Sequence, residues 1–154
     1  MSGTIEARLA ELGVTLPVPV APQANYVPVV RTGNLLFIAG QIPIGPNGIE
    51  YVGKVGAEFS VEEGAACARL CAINILAQTK AAIGDLDKVV RVVKLTGMIN
   101  STPEFIQQSQ VVNGCSDFIV DVFGDKGRHA RTSVSVASLP FGVAVEVEAV
   151  IEVE

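Results

Sequence analysis

The sequence predicts an α+β domain in which a mixed β-sheet of about five or six strands carries two long helices on one face. Two long amphipathic segments, each ended by a glycine, predict the helices. Alternating runs of apolar and polar residues flank and separate these segments, which gives the order ββ-α-β-α-ββ behind a short leading helix. The composition shifts only in two Gly/Pro-rich loops and no repeat is visible, so residues 1–154 are predicted to form a single domain.

The leading segment is predicted to be a short helix followed by an extended arm. Residues 4–12 place Ile5, Leu9 and Leu12 on one stripe and are followed by Gly13. The next stretch holds prolines at 17, 19, 22 and 28 and should run extended along the surface. Residues 1–20 are therefore assigned to an N-terminal helix and arm.

The first pair of strands is predicted as a hairpin. It covers residues 27–42 and turns at Gly33 and Asn34. A long Gly/Pro-rich loop, residues 43–59, follows it.

The two long helices have recognisable ends. The first opens with a capping box made by Ser60 and Glu63 and stops at Gly84. A strand over residues 86–100 separates it from the second helix, which is predicted to open at residues 102–104 and to end before residue 124.

The closing stretch, residues 131–154, is predicted to form a β-hairpin around the LPFG sequence at 139–142. In that register Val134 faces Val147 on an apolar surface. The opposite surface then carries polar and charged side chains, namely Arg131, Ser133, Ser135, Glu146 and Glu148. Charges on central strands are costly to bury unless they are paired or bind a ligand, so this surface is the first place to look for a site.

The totals exclude several classes of function. The chain is 49% hydrophobic with 18% charged residues, but no apolar run approaches the roughly 18 residues of a membrane span. The surplus apolar surface is expected to enter subunit contacts. A net charge of −5 without tryptophan disfavours nucleic acid. Three cysteines without framework spacing, and no secretory leader pattern, predict a cytoplasmic protein with free thiols.

Arg131 is the leading candidate residue, because a guanidinium presents a planar fork that matches a carboxylate. From spacing alone, a structural ion pair with Glu146 or Glu148, or a solvated strand end, is the commoner explanation. In the predicted hairpin Glu146 lies about four residues along from Arg131, roughly 13 Å at the rise of a strand. A site using both groups would then need two subunits or a bulge.

Other residues have equally ordinary alternatives. Tyr26 and Gly40 could line a ligand or simply pack, and Asn113 could cap a loop. His129 is the only histidine, which makes a histidine-based metal site improbable and gives no Ser-His-Asp arrangement. The cysteines are expected to pack in the core. No metal or cofactor is predicted.

Two motifs nevertheless resemble a known family. Arg131 followed by the SVSV run, the LP turn and EVEAVI at 146–151 resembles the closing signature of the RidA/YjgF/UK114 family. The IAGQIP segment at 38–43 resembles that family's SGQIP element. The resemblance extends over about residues 21–153, and the two motifs together are fairly specific.

The resemblance implies a chorismate-mutase-like fold assembled as a homotrimer with ligand clefts between subunits. It implies hydrolysis of reactive enamine or imine intermediates to 2-oxo acids and ammonia without a cofactor. Arg131 would hold the substrate carboxylate and Glu146 the attacking water. Tyr26, Gly40, Asn113 and Ser133 would shape the cleft.

The sequence also departs from the family pattern, which places it in a divergent branch. It has the extra N-terminal helix, Ala39 where serine is usual, and Thr132-Ser133 where a Ser-Cys pair often follows the arginine. The alternative function is a non-catalytic trimer that binds small carboxylates or regulates a partner. Ribonuclease activity, attached to an older family name, is disfavoured by the acidic charge.

Overall fold

The computed structural model describes residues 3–19, 22 and 24–154, so residues 1, 2 and 20 of the predicted helix and arm lie outside the described part. The strands are β1 (Val29–Thr32), β2 (Leu35–Gln41), β3 (Ile44–Gly45), β4 (Gly48–Ile49), β5 (Val89–Asn100), β6 (Ala130–Val136) and β7 (Val145–Val153). Five of them form one sheet in the order β1-β2-β7-β5-β6, and β3 pairs with β4 separately. The sheet is mixed, because β6 runs parallel to β5 while the other neighbours are antiparallel. The predicted first hairpin is confirmed.

Three α-helices accompany the sheet: α1 (Thr4–Glu11), α2 (Val61–Ile83) and α3 (Gln108–Phe123). The predicted capping box opens α2, with the Ser60 hydroxyl accepting from the Glu63 amide and the Glu63 carboxylate accepting from the Ser60 amide. The start predicted for α3, at residues 102–104, is about four to six residues too early. The Thr102 amide donates to the carbonyl of Val55 and so holds residues 101–102 against a neighbouring loop, which delays the helix.

The core lies between one face of the sheet and the pair α2 and α3. Alternate residues of β7 are buried under these helices, and the large side chains of the helices fill the space above them. The two helices approach closely at Gly114, where an added Cβ would collide with the carbonyl oxygen of Ala65. Glycine is needed there because any side chain would push the helices apart.

The predicted closing hairpin is wrong. β6 and β7 are both strands, but they do not pair, because β5 lies between them and is hydrogen-bonded to each. Residues 137–144 bridge the two-strand separation of about 10 Å, which such a length of chain spans easily. Alternation predicted the strands correctly, and it carries no information on which strands become neighbours.

This different pairing also corrects the predicted polar surface. Arg131 is opposite Leu95 of β5, which is buried under the helices, whereas Glu146 is opposite Met98. Positions three apart on a strand point to opposite faces. Arg131 and Ser133 therefore lie on the helix-bearing face, and Glu146 lies on the other face, which we call the open face.

Helix α1 is docked by a residue far along the chain. The Asp87 carboxylate accepts hydrogen bonds from the backbone amides of Thr4 and Ile5, both at 2.9 Å, and so caps the first turn. These bonds lower the pKa of Asp87 below its ordinary value. Glu6 adds a 2.7 Å ion pair with Lys80 of α2. Within the described residues no helix is long and apolar enough to cross a membrane.

Candidate active site

The Arg131 guanidinium is held entirely by neutral groups of α3. Its Nη1 donates to Oδ1 of Asn113 at 2.8 Å and to Oγ of Ser116 at 3.1 Å, and its Nη2 makes a long 3.5 Å contact with the carbonyl of Ser109. Among the described residues no carboxylate lies in salt-bridge range of it. The expectation of a structural ion pair with Glu146 or Glu148 is therefore wrong. The positive charge is left free to attract an anion.

Two further residues complete this cluster: Ser116, which the sequence did not single out, and His129, which it gave no role. Oγ of Ser116 lies 2.8 Å from Nε2 of His129, whose Nδ1 lies 2.6 Å from the carbonyl oxygen of Gly127. The partner of Nδ1 is this carbonyl oxygen and not a carboxylate, so the arrangement is not a Ser-His-Asp triad. The sequence signal was weak, because Ser116 and His129 belong to different elements and only the fold brings them together.

Ser133 lies two residues from Arg131 on the same face of β6. Its hydroxyl is buried and has no hydrogen-bond partner among the described residues. An unpartnered buried hydroxyl costs about 1–3 kcal/mol, so it marks a place where a further polar group can be accommodated. Together with Arg131 and Asn113 it forms what we call the arginine half-site.

The second group of predicted residues lies elsewhere, in what we call the glutamate half-site. Tyr26, Gly40 and Glu146 line one cavity of about 440 Å³. The N-terminal arm supplies part of its wall through Pro17, Val18 and Pro19, and the turn after β6 supplies Phe141. The arm thus borders the cavity.

Gly40 is where the chain passes closest to Glu146. An added Cβ at residue 40 would collide with the Glu146 carboxylate, so glycine lets the carboxylate lie against the backbone of β2. The pairing of β2 with β7 is also irregular between Ile38 and Gln41. The bulge turns the backbone of this segment toward the cavity.

The surroundings of Glu146 make it a stronger base than an exposed carboxylate. Burial raises its pKa above the ordinary value of 4.5, and the neighbouring charge of Glu148 raises it further. A carboxylate of this kind accepts a proton from water more readily. The Cys115 thiol offers no comparable chemistry, since burial raises its pKa to about 12.

The two half-sites do not meet within one subunit. They lie on opposite faces of the sheet, so an anion held by Arg131 cannot also contact Glu146 of the same chain. The sequence anticipated the separation but placed both groups on one face. Within the described part of the chain, no group of three His, Cys, Asp or Glu side chains could hold a metal ion.

Comparison with known proteins identifies the family. The family model described as "YjgF/chorismate_mutase-like, putative endoribonuclease" matches residues 6–152. The chain belongs to the RidA/YjgF family. This membership confirms the resemblance seen in the closing strands and the chorismate-mutase-like α+β fold.

Three RidA/YjgF relatives show how far the similarity extends. Protein TCP17 of Trypanosoma cruzi is 51% identical over 152 residues, which cover 98% of this chain and 95% of that protein. The crystal structure of Atu1372, a protein of unknown function from Agrobacterium tumefaciens, is 51% identical with a TM-score of 0.91 and covers 97% of this chain and 92% of that one. A "putative endoribonuclease" from Shewanella oneidensis is 32% identical with a TM-score of 0.95, and the match covers 98% of this chain and all of that one.

Proposed function

We propose that this protein hydrolyses reactive 2-imino and 2-enamino acids to 2-oxo acids and ammonia, at sites formed between the subunits of a homotrimer. The observation that carries the proposal is the Arg131 guanidinium, which is held by Asn113 and Ser116 yet lacks a counter-charge among the described residues. A substrate carboxylate would supply that charge through paired hydrogen bonds. The glutamate half-site of a neighbouring subunit would supply the base.

The reaction requires only positioning and a base. Water adds through its oxygen to the imine carbon while Glu146 accepts the water proton, which gives a carbinolamine. Glu146 then returns the proton to nitrogen, and the carbon–nitrogen bond breaks with its electrons leaving on ammonia. The remaining hydroxyl passes its proton to that ammonia, which leaves as ammonium, and becomes the 2-oxo group. A protonated imine is already electrophilic, so orientation by Arg131 and an oriented water suffice.

Assembly as a homotrimer is supported by the apolar character of the open face. Val30, Phe37 and Val134 lie there with 51%, 44% and 43% of their surfaces exposed in the single chain. Exposed apolar side chains on one face are typical of a surface covered by other subunits. Such packing would bring an arginine half-site of one copy to the glutamate half-site of the next.

The direct test measures the decay of an imine generated in situ from a 2-amino acid, with ammonia as the product. Wild-type protein should accelerate the decay. Arg131→Ala should raise KM roughly 10- to 100-fold through loss of a charge-assisted carboxylate contact. Glu146→Gln should lower kcat by about 100-fold or more because the base is lost.

Two matched variants serve as controls. Arg128→Ala removes an exposed arginine three residues from Arg131 that pairs with Asp125, and Glu152→Gln changes a carboxylate further along β7. Both should retain wild-type rates. Equal rates in wild type and Arg131→Ala would sink the proposal.

The alternative is a protein that only binds small carboxylates. It is favoured by the fact that Asn113, Ser116 and Arg131 assemble within one chain, independently of Glu146. In that case Glu146→Gln would bind a 2-oxo acid with wild-type affinity, and no variant or wild-type protein would accelerate imine decay.

We do not propose ribonuclease activity, although relatives carry that description. The net charge is −5, and the single histidine is engaged by Ser116 and Gly127. Phosphate backbones are bound chiefly by clusters of lysine and arginine. We accordingly propose that no nucleic acid is a partner, and salt-resistant RNA binding by the purified protein would contradict this.

A further inference from the structure

We propose that His129 and Ser116 are positioning residues that fix the Arg131 guanidinium so that its Nε–Nη2 edge is the edge offered to a carboxylate. That the carboxylate belongs to the substrate rests on the proposed function. The orientation of Arg131 follows from hydrogen bonds within this chain and is independent of that function.

The tautomer of His129 follows from its neighbours. Its Nδ1 lies 2.6 Å from the carbonyl oxygen of Gly127, which can only accept a hydrogen bond, so Nδ1 carries the proton. In the neutral ring Nε2 is then an acceptor. Burial lowers the pKa of His129, which favours this neutral form, and the nearby charge of Arg131 also lowers it.

The hydroxyl of Ser116 is oriented in turn. Nε2 of His129 accepts its only proton at 2.8 Å, so the oxygen presents its lone pairs to Nη1 of Arg131 at 3.1 Å. Without the histidine, a serine within a helix can turn its hydroxyl to donate to a backbone carbonyl of the preceding turn. His129 thus keeps Ser116 available as an acceptor for the guanidinium.

As a consequence, Arg131 uses Nη1 for hydrogen bonds within the chain and leaves its Nε–Nη2 edge for a ligand. Nη1 makes two hydrogen bonds, to Oδ1 of Asn113 at 2.8 Å and to Oγ of Ser116 at 3.1 Å. Nη2 has one long contact of 3.5 Å with the carbonyl of Ser109, and Nε has no hydrogen-bond partner among the described residues. The Nε–Nη2 edge is therefore the less occupied one, and its Nε–H and one Nη2–H are parallel, which is the side-on geometry for a bidentate carboxylate.

The support for His129 is rigid. Gly127, whose carbonyl orients the ring, packs so tightly against α3 that an added Cβ would lie 2.6 Å from the carbonyl oxygen of Ile119. The short turn Gly124–Gly127 therefore holds the histidine against the same helix that carries Ser116 and Asn113. A carboxylate-binding arginine fixed in this way loses little side-chain freedom on binding.

The first experiment measures binding of a 2-oxo acid by calorimetry, together with KM and kcat for imine decay. His129→Phe and Ser116→Ala should each raise Kd and KM about 5- to 20-fold, as expected for one lost hydrogen bond to a charged group. The value of kcat should change less than about twofold, because Glu146 is untouched. Ser116→Thr retains a hydroxyl and should retain wild-type affinity.

A double-mutant cycle tests whether His129 acts on Arg131 through Ser116 or whether the two residues have independent structural roles. If His129 acts only through Ser116, then adding His129→Phe to Ser116→Ala should cause no further loss. Additive losses, an unchanged Kd in both single variants, or a fall in kcat at constant KM would each overturn the inference. Each single variant removes one partner of the His129–Ser116 hydrogen bond, so either one tests the effect on Kd if the other does not fold.

A second, non-catalytic measurement uses the fact that the chain has one histidine. In tag-free protein the imidazole nitrogen NMR signals belong to His129 alone, and they should show the proton on Nδ1. Ser116→Ala should shift the Nε2 signal. A proton on Nε2 would overturn the inference. Wild-type protein that binds the 2-oxo acid but does not accelerate imine decay would contradict the proposed function. The binding and NMR measurements would still test the positioning role of His129 and Ser116.

Discussion

Glu146 is a carboxylate on the open face whose immediate surroundings come from the neighbouring strand β2 and from its own strand β7. Gly40 gives it room against β2, and Glu148, two positions along the same face of β7, adds a like charge. Because folding raises the pKa of Glu146, the folded chain binds this proton more tightly than the unfolded chain does. The contribution of this residue to stability therefore falls as the pH rises through the interval from the ordinary value up to the raised one. The surroundings that raise the pKa of Glu146 thus lower stability in this pH interval and make the carboxylate a stronger base.

The same shift predicts how the rate depends on pH. The acidic limb of kcat/KM for imine decay should lie above the ordinary carboxyl pKa of 4.5, because protonated Glu146 cannot accept a proton from water. Glu148→Gln removes the like charge and should move this limb to lower pH. Rates measured across pH 4–8 with a substrate whose own ionisation is known would check both statements. A limb that stays in place in Glu148→Gln would show that burial alone sets the pKa.

The residues that make up the site differ in how visible they were in the sequence. Arg131, Gly40 and Glu146 were identified because the motifs that contain them are local, and Asn113 was implied by the resemblance to the family. Ser116 and His129 were missed because their contact joins α3 to the turn before β6. A hydrogen bond between separate elements leaves no local pattern, so only the folded backbone reveals it.

At the scale of elements, the crossing of α2 and α3 determines where Asn113 and Ser116 stand relative to β6. Gly114 lies between these two residues, and an added Cβ there would collide with the backbone carbonyl of Ala65. Gly114→Ala raises helix propensity by about 1 kcal/mol, which would stabilise an exposed helix. Overpacking costs about 1–3 kcal/mol, and backbone cannot move aside as a flexible side chain can.

Whether Gly114→Ala lowers or raises the free energy of unfolding therefore tests how tightly α2 and α3 pack. We expect Gly114→Ala to lower the free energy of unfolding by up to about 2 kcal/mol net, measured by urea denaturation with an unchanged m-value. The separated helices should also weaken binding of a 2-oxo acid at Arg131. A variant more stable than wild type would show that the helices are free to shift.

Individual elements could be predicted largely from their own residues. The capping box at Ser60, the turn at Gly33 and the alternating runs of β6 and β7 each have a local cause, and all three are present in the structure. The pairing of β6 with β5 has none. Insertion of β5 between β6 and β7 depends on how the apolar faces of the whole sheet pack under the helices, which a reading of one hairpin does not include.

At the scale of the whole molecule, the sheet separates two chemical functions. One face, with α3, holds Arg131, the proposed carboxylate-binding residue, and the open face holds Glu146, the proposed base. A single chain therefore contains every proposed catalytic group but no complete site. Under the proposed trimer, each site would combine Arg131 of one copy with Glu146 of another, and three equivalent sites would result from rotational symmetry.

Mixed assemblies test this division directly. In an equal mixture of Arg131→Ala and Glu146→Gln subunits, an intersubunit site is intact only when its arginine comes from a Glu146→Gln copy and its glutamate from an Arg131→Ala copy. Each condition holds for half of the copies, so co-expressed subunits should show about a quarter of wild-type kcat/KM, although kcat/KM of Arg131→Ala alone is lowered through KM and that of Glu146→Gln alone through kcat. The two proteins purified separately and mixed without subunit exchange provide the control, and their kcat/KM should stay at the mean of the two impaired variants. Sedimentation velocity would establish the size of the mixed particles. Co-expressed trimers without recovered activity would contradict a site shared between subunits.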